Sequence, residues 1–251
     1  MEKQMYDEMR EQQDKHWWYC AKKEIVLDFA ETFGNLKKGN DQGSIIDVGC
    51  GMGLMLDSLK DYGEVYGVEM EEEAVEYCRI NTFNDAGSDR VMPGSLPDNI
   101  PFPDGRFDTV FALDVLEHVE DDLAAAKKLH SLLKDGGSLI LTVPAHMSMW
   151  SGHDELTHHF RRYERDGLLK VITDAGFKVK KCSYYNSRLF LPAYAVRKIK
   201  NLLKIKESDI DVTSKVGFMN EPLKKIFAGE KNSLKKKDFK TGVSLILAAE
   251  K

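Results

Sequence analysis

Three alternate glycines follow the first apolar run of the chain, and an acidic residue lies inside that run. The run Ile45–Val48 includes Asp47, and Gly49, Gly51 and Gly53 come after it. Glycine has no Cβ, so a ligand can approach such a turn closely. A carboxylate beside the turn suits a ligand that carries positive charge, such as an amino group or a sulfonium. It is poorly placed beside the pyrophosphate of a nicotinamide cofactor, whose turn has the spacing G-x-G-x-x-G.

A second acidic residue, Glu69, ends the next apolar run and lies 20 residues beyond Gly49. In open parallel sheets, an acid at this distance accepts hydrogen bonds from the hydroxyls of a ribose. Taken with Asp47, it indicates a nucleoside ligand that lacks a diphosphate.

Short apolar runs alternate with amphipathic stretches from residue 44 onward, and this alternation places the acids and glycines at strand ends. We predict strands at 45–48, 65–70, 90–92, 107–113, 138–143, 177–184 and 243–249, and helices at 22–33, 54–62, 71–81, 121–134 and 164–175. The pattern predicts one α/β domain with a doubly wound, mostly parallel, seven-stranded sheet. Its parts are an N-terminal lid with helices (1–43), a ligand-binding core (44–184), a cap insertion (185–241) and a last strand (242–251).

The composition is that of a soluble globular protein, with 42% hydrophobic and 31% charged residues among 251. The longest apolar run, Leu189–Val196, is far shorter than the roughly 20 residues of a membrane-spanning helix. We therefore expect a cytoplasmic protein. The four cysteines form no CxxC pair, which argues against a zinc site and a disulfide framework.

Charge is distributed unevenly along the chain. Residues 1–177 contain 18 basic and 34 acidic residues, a balance of −16, whereas residues 178–251 contain 18 and 7, a balance of +11. A basic segment can attract phosphate, a nucleic acid or an anionic membrane surface. It can equally be solvated or match the acidic part of the same chain.

Several motifs in order along the chain resemble those of the class I S-adenosylmethionine-dependent methyltransferases, specifically the type 11 group. The glycine turn resembles the first motif of that family, and Glu69 resembles its ribose-binding acid. Further similar segments are Gly94-Ser95-Leu96, Phe107-Asp108, Asp114-Val115-Leu116-Glu117-His118 and Leu133-Lys134-Asp135-Gly136-Gly137. The resemblance covers residues 44–184 and the last strand. It also extends to a bacterial branch often found among cell-surface polysaccharide and glycolipid enzymes.

The resemblance implies S-adenosylmethionine as the cofactor and S-adenosylhomocysteine as the product. The residues that it implies for cofactor binding are Asp47, Gly49, Gly51, Gly53, Glu69, Met70, Ser95, Leu96, Leu113 and Asp114. Ser95 stands where many relatives carry an aspartate that contacts the adenine amino group.

Methyl transfer from a sulfonium is an in-line displacement, so the protein mainly aligns the reactants and, where needed, removes a proton. The Asn/Asp-Pro-Pro-Tyr sequence of exocyclic-amine methyltransferases is absent after the fourth strand, and no Pro-Cys nucleophile occurs there. An oxygen acceptor is therefore the first expectation. A non-catalytic module that binds the cofactor is the alternative from a different class.

His118 follows the fourth strand, and histidine has a suitable pKa to deprotonate a hydroxyl near neutrality. We predict it as the general base and predict no metal. A histidine that is merely packed at a helix start is the alternative. Asp114, Glu117, His118 and His146 also resemble the metal-binding cluster of small-RNA 2′-O-methyltransferases, and spacing alone does not separate these interpretations.

Two aromatic and basic clusters outside the nucleotide fold are candidates for substrate binding: His16, Trp17 and Trp18, and His153, His159, Arg161, Arg162 and Tyr163. Adjacent tryptophans can fold over the cleft and exclude water, and the two arginines offer a fork for a carboxylate or phosphate. Ordinary packing is the alternative. The acceptor that we expect is a small molecule or a glycan- or lipid-linked group, and nucleic acid is not expected.

The cap insertion contains an amphipathic basic stretch. Its basic residues are Arg197, Lys198, Lys200, Lys204 and Lys206, and its apolar residues are Ile199, Leu202, Leu203 and Ile205. Such a stretch can lie on an anionic membrane, bind a phosphorylated substrate or simply cover the sheet.

Overall fold

Seven strands form one sheet, as the alternating pattern predicts. The computed structural model describes residues 3–39, 43–203 and 217–251. Its strands are β1 Ser44–Val48, β2 Glu64–Glu69, β3 Val91–Pro93, β4 Phe107–Leu113, β5 Leu133–Pro144, β6 Lys178–Tyr185 and β7 Ser244–Glu250. They lie in the order β3-β2-β1-β4-β5-β7-β6, and β7 runs antiparallel to both of its neighbours. The predicted doubly wound, mostly parallel α/β sheet is confirmed.

Helices cover both faces of this sheet. They are α1 Lys3–Gln12, α2 Trp17–Phe33, α3 Leu56–Leu59, α4 Glu72–Phe83, α5 Asp122–Leu132, α6 Gly152–Leu156, α7 Arg165–Asp174, α8 Phe190–Leu203, α9 Asn220–Ala228 and α10 Lys231–Leu234. The sequence pattern missed α1 and placed the start of α2 five residues too late, at Lys22. The helix begins earlier because the His16 side chain accepts a hydrogen bond from the Trp18 N–H at 3.4 Å and caps it.

Alternate residues of β5 pack into two separate cores. Leu139 and Leu141 belong to the core beneath α5 and α7, whereas Ile140 belongs to the core beneath α2 and α3. Side chains of a strand point alternately to opposite faces, so a strand covered on both faces is a continuous apolar run. This double burial explains the strand signal at 138–143.

Strand order reverses beside β1, which pairs with β2 on one side and with β4 on the other. Ligands of open parallel sheets bind where this reversal separates the loops at the carboxyl ends of the strands. Gly49 follows β1 and Asp114 follows β4, and both have positive φ angles, 76° and 57°. The two strand ends therefore turn sharply at the same edge of the sheet.

The cap consists of helices with different surroundings. α9 packs on α2, where the ring of Phe227 lies edge-on to Trp17 at 6.0 Å. Part of the basic excess is matched there, because Lys224 and Lys231 both pair with Glu24 of α2.

α8, in contrast, has no buried residue. Lys204, Ile205 and Lys206, which continue its sequence pattern, lie outside the described residues. Among the helices that the structure describes, none has the length and apolar character to cross a membrane.

Candidate active site

A cavity of about 460 Å³ opens at the carboxyl ends of β1, β2 and β4. It brings together thirteen residues from the predicted catalytic, cofactor and substrate sets: His16, Trp17, Trp18, Asp47, Gly49, Gly51, Glu69, Leu113, Asp114, His118, His153, His159 and Arg162. Helix α8 contributes Ala193 and Arg197 to its wall. The predicted lid residues and the predicted cofactor residues therefore share one space.

The glycine turn is fixed to the neighbouring strand by backbone hydrogen bonds. The N–H groups of Gly49 and Cys50 both donate to the carbonyl of Val68, at 2.7 and 3.0 Å. A Cβ at Gly49 would lie 2.5 Å from the side chain of Val115, and the φ angle of Gly51 is 53°. Glycine is therefore required at this turn both by its conformation and by the space around it.

Glu69 is held by the turn that it faces. Its Oε2 accepts the Gly51 N–H at 2.8 Å, and its Oε1 accepts the Met70 N–H at 2.8 Å and the Tyr6 hydroxyl at 2.9 Å. Burial first, then the Glu69 carboxylate, raises the pKa of Tyr6 far above its usual value. Helix α1 thus covers the nucleotide end of the cavity, a contact that the polar N-terminal sequence did not predict.

Asp47 is buried in the same cavity and is only partly satisfied. Its Oδ1 has no hydrogen-bond partner among the residues that the structure describes. Burial raises the pKa of this carboxyl to about 7; Lys22 opposes that rise and Glu69 adds to it. A buried carboxylate oxygen of this kind favours a ligand that supplies a donor, above all a cationic one.

Asp114 forms the charged partner of a lysine that the sequence analysis missed. Lys22 of α2 donates to Asp114 Oδ2 at 2.5 Å and lies 5.0 Å above the ring of Trp18. Burial alone would raise the pKa of Asp114, but Lys22 and the Thr142 hydroxyl outweigh it and hold the pKa below its usual value. Lys22 is one turn beyond Trp18 on α2 and so lies on the same face of the helix. That spacing was the sequence feature that could have indicated Lys22 as a cavity residue.

Glu117, His118 and His159 converge at the acceptor side of the cavity. One possible ligand atom from each lies within 4.8 Å of those of the other two, and the imidazole rings are edge-on at 4.6 Å. Burial and the neighbouring His159 lower the pKa of His118 to about 4, while burial and Asp114 raise the pKa of Glu117 well above its usual value. His118 is therefore neutral at neutral pH, and Glu117 holds its proton more readily than an ordinary glutamate.

A buried ion pair orients this cluster. Asp154 Oδ1 accepts from Nδ1 of His159 at 2.9 Å and from Arg162 at 2.7 Å. The Ser151 N–H donates to the other carboxylate oxygen at 2.9 Å. The second ring nitrogen of His159, Nε2, is the one that remains for the cavity. Arg162 thus lines the site while its charge is matched by Asp154.

His146 does not join this cluster, so its place in the proposed set of Asp114, Glu117 and His118 was wrong. Its Nδ1 lies 3.0 Å from Glu164 and its Nε2 lies 3.0 Å from the Thr241 hydroxyl. His159 occupies the corresponding position, because the loop after β5 returns to the cavity after α6.

Other predicted site residues lie outside the cavity lining. Arg161 pairs with Asp122 at 2.8 Å, and the Tyr163 hydroxyl donates to the same carboxylate at 2.9 Å. The two arginines therefore have separate carboxylate partners. Gly53, Met70, Ser95 and Leu96 also do not line the cavity, and a role for these six residues in binding stays a prediction.

Asn186, which follows β6, was not predicted. Its side-chain oxygen is buried without a partner among the described residues, and its φ angle is 52°. It lines the same cavity as the glycine turn. Only its position directly after a strand could have indicated it.

Comparison of this chain with models of known protein families indicates its family. Residues 46–141 match the model of a methyltransferase domain. Residues 46–141 therefore carry a methyltransferase domain. Its cofactor is S-adenosylmethionine, as the resemblance to the class I enzymes implied.

Similar proteins agree with this assignment. The ubiquinone biosynthesis O-methyltransferase of Xanthomonas euvesicatoria is 34% identical over 153 residues, which cover 55% of this chain and 64% of that relative. The match thus spans less than two thirds of its length.

Two solved structures of lower identity share the fold. One is from the complex of the Haloferax volcanii Trm112 methyltransferase activator with a methyltransferase, with a TM-score of 0.59, 18% identity and coverage of 96% of this chain and 92% of that one. The other is the [4+2]-cyclase SpnF, with a TM-score of 0.56, 23% identity and coverage of 91% and 80%. At such identities the likeness shows the fold alone.

The side chains and glycines that line the cavity fit S-adenosylmethionine. Asp47 Oδ1 is available for the amino group, Glu69 faces the space for the ribose hydroxyls, and the glycines leave room for close approach. The Tyr6 hydroxyl is the one neighbour on Glu69 that comes from outside the Rossmann-like core.

Replacement of Glu69 by alanine should weaken binding of S-adenosylhomocysteine by about 1–3 kcal/mol, because a charge-assisted hydrogen bond to the ribose is lost. Isothermal titration calorimetry measures this change. Glu72→Ala, an exposed carboxylate on α4, serves as the control. Equal affinity of the Glu69 variant and the wild type would place the ribose elsewhere.

Cofactor affinity should rise as the pH increases through about 7, because Asp47 must be ionised to accept a cationic amino group and its pKa is about 7. The affinity should fall below this pH as the carboxyl takes up a proton. Calorimetric titrations of S-adenosylhomocysteine from pH 5.5 to 7.5 test this slope. Asp47→Asn should bind weakly and lose the slope; a slope that persists in the variant would contradict the assignment.

Proposed function

We propose that this chain transfers the methyl group of S-adenosylmethionine to an oxygen atom of a small-molecule, glycan-linked or lipid-linked acceptor. The observation that carries this proposal is a half-buried, neutral His118 in the same cavity as Asp47 and Glu69. The relatives named as O-methyltransferases support an oxygen acceptor.

The roles of the residues follow from their positions around the cavity. When bound, the cofactor supplies an electrophilic methyl group on its sulfonium. Asp47 and Glu69 hold the amino and ribose ends of that cofactor and so fix the direction of the methyl group. Trp17 and Trp18 cover the acceptor side and exclude water from it.

His118 is placed to take the proton of the acceptor hydroxyl. The backbone of Thr157 opposes the lowering of the His118 pKa by burial, and a ring nitrogen of His118 is the proton acceptor. The hydroxyl proton would pass to this nitrogen as the acceptor oxygen takes up the methyl group that the bound cofactor would supply. A base whose pKa is about 4 serves best with an acidic hydroxyl, such as a phenol or an enol, because the proton then leaves more easily.

A cation-assisted version of the same reaction has an observation of its own. Glu117, His118 and His159 together provide one carboxyl group and two imidazoles, a ligand set found in catalytic zinc sites. The Oε2 atom of Glu117 has no hydrogen-bond partner among the described residues. A divalent cation there would lower the pKa of a bound hydroxyl, and His118 would then be a ligand instead of the base. The acceptor in this version is the 2′-hydroxyl of an RNA, as in the small-RNA 2′-O-methyltransferases that the sequence resembles at this point.

His118→Ala should reduce turnover by about 10²–10⁴-fold while it leaves the affinity for S-adenosylhomocysteine unchanged, because a base acts only on the reacting proton. Methyl release with a panel of phenolic and sugar hydroxyl acceptors measures turnover. His130→Ala, on the far side of α5 against Phe177, is the control. Full activity of the His118 variant would refute the proposed base.

Chelation separates the two versions. Dialysis against EDTA should leave turnover unchanged if His118 is the base, and a loss restored by zinc or manganese would favour the cation. Absence of methyl release with every acceptor, together with normal cofactor affinity, would instead favour a binding module.

A further inference from the structure

The exposed apolar side chains of the described residues are concentrated in the cap. Eight of the twelve large ones lie between residues 191 and 226: Leu191, Val196, Ile199, Leu202, Leu203, Phe218, Met219 and Ile226. Leu202 is 82% exposed and Phe218 is 90% exposed. Monomeric proteins seldom expose such a group on one segment unless it meets a partner or a membrane.

The five apolar residues on α8 lie on one side of the helix. At 3.6 residues per turn, Leu191, Leu202, Ile199, Leu203 and Val196 follow one another around an arc of roughly 140°. The residues within this arc are all exposed, whereas Ala193 and Arg197 on the opposite side are partly covered and line the cavity. The helix therefore has an outer apolar face and an inner face toward the cavity.

The inner face is fixed to the body of the protein. Arg197 donates to the carbonyl of Met149 at 2.9 Å, and Asn201 donates to the carbonyl of Trp150 at 2.9 Å. These polar contacts hold α8 against the loop after β5, so the outer face is directed away from the body.

The charges around the apolar arc are all of one sign. Lys198 and Lys200 fall at its two edges, and the described residues 188–203 contain four basic and no acidic residues. An apolar face bordered by lysines suits the boundary between headgroups and acyl chains of an anionic bilayer. A protein partner would need an acidic rim around an apolar groove, whereas an anionic lipid surface provides both features without any specific fit.

We propose that the outer face of α8 docks on an anionic membrane surface. The opposite side of the same helix lines the cavity, so docking brings the cavity to within about 10 Å of the lipid headgroups, one helix diameter. On the proposed methyltransferase function, this placement gives access to an acceptor carried on a lipid. The link to the acceptor rests on that function, whereas the docking itself does not.

Co-sedimentation with vesicles tests the docking. The wild type should bind vesicles of phosphatidylglycerol and phosphatidylcholine and should not bind vesicles of phosphatidylcholine alone. The variant Leu191→Gln/Ile199→Gln/Leu202→Gln should bind the anionic vesicles roughly 100-fold more weakly, and Lys198→Gln/Lys200→Gln roughly tenfold more weakly. Ile80→Gln, which removes an exposed apolar side chain from α4, should bind like the wild type.

The remaining outcomes overturn the proposal. Failure of the wild type to bind anionic vesicles would do so, as would undiminished binding of the glutamine variant. A wild-type dimer in analytical ultracentrifugation that the same variant dissociates would assign the face to a second copy of the chain. Circular dichroism and S-adenosylhomocysteine affinity check that each variant is folded. The affinity for S-adenosylhomocysteine tests the proposed function separately from the docking. A wild type that binds vesicles but does not bind S-adenosylhomocysteine would refute the proposed function and leave the docking standing.

Discussion

The buried carboxylate of Asp47 is the constraint on which the site depends. Burial of an anion is unfavourable unless a cation or several donors compensate it. Lys22 stands nearby but donates to Asp114, and Asp47 Oδ1 has no partner among the described residues. The cavity therefore fits a ligand that carries its own positive charge, and it fits less well a ligand with a pyrophosphate. S-adenosylmethionine, with its cationic amino group and sulfonium, meets this electrostatic demand.

The topology of the sheet creates the cavity in which Asp47 is buried. Reversal of strand order beside β1 separates two loops and opens a space at the carboxyl ends of the strands. The Gly51 N–H donates to Glu69 and the Gly49 N–H donates to Val68 of β2, so the turn and Glu69 form one rigid unit. On the acceptor side, Asp154 orients His159 and balances Arg162. Glu69 and His159 are thus held by separate hydrogen-bond networks around one cavity.

Much of this architecture could be predicted because it depends on local patterns. Doubly buried strands are continuous apolar runs, and the turn after β1 is marked by its glycines. The contacts that the sequence did not reveal join distant segments: Tyr6 with Glu69, Lys22 with Asp114, and His159 in place of His146. Each depends on how a helix or a loop returns over the cleft, and periodicity within one segment does not report such a return. The carboxylate partners of the two arginines, Asp122 for Arg161 and Asp154 for Arg162, were not evident for a similar reason.

A crystal structure with S-adenosylhomocysteine tests the central claim most directly. The account predicts the amino group of the ligand within hydrogen-bonding distance of Asp47 Oδ1 and both ribose hydroxyls on Glu69, with the sulfur directed toward His118. A ligand that binds in the reverse direction, or one that leaves Asp47 without a contact, would contradict it.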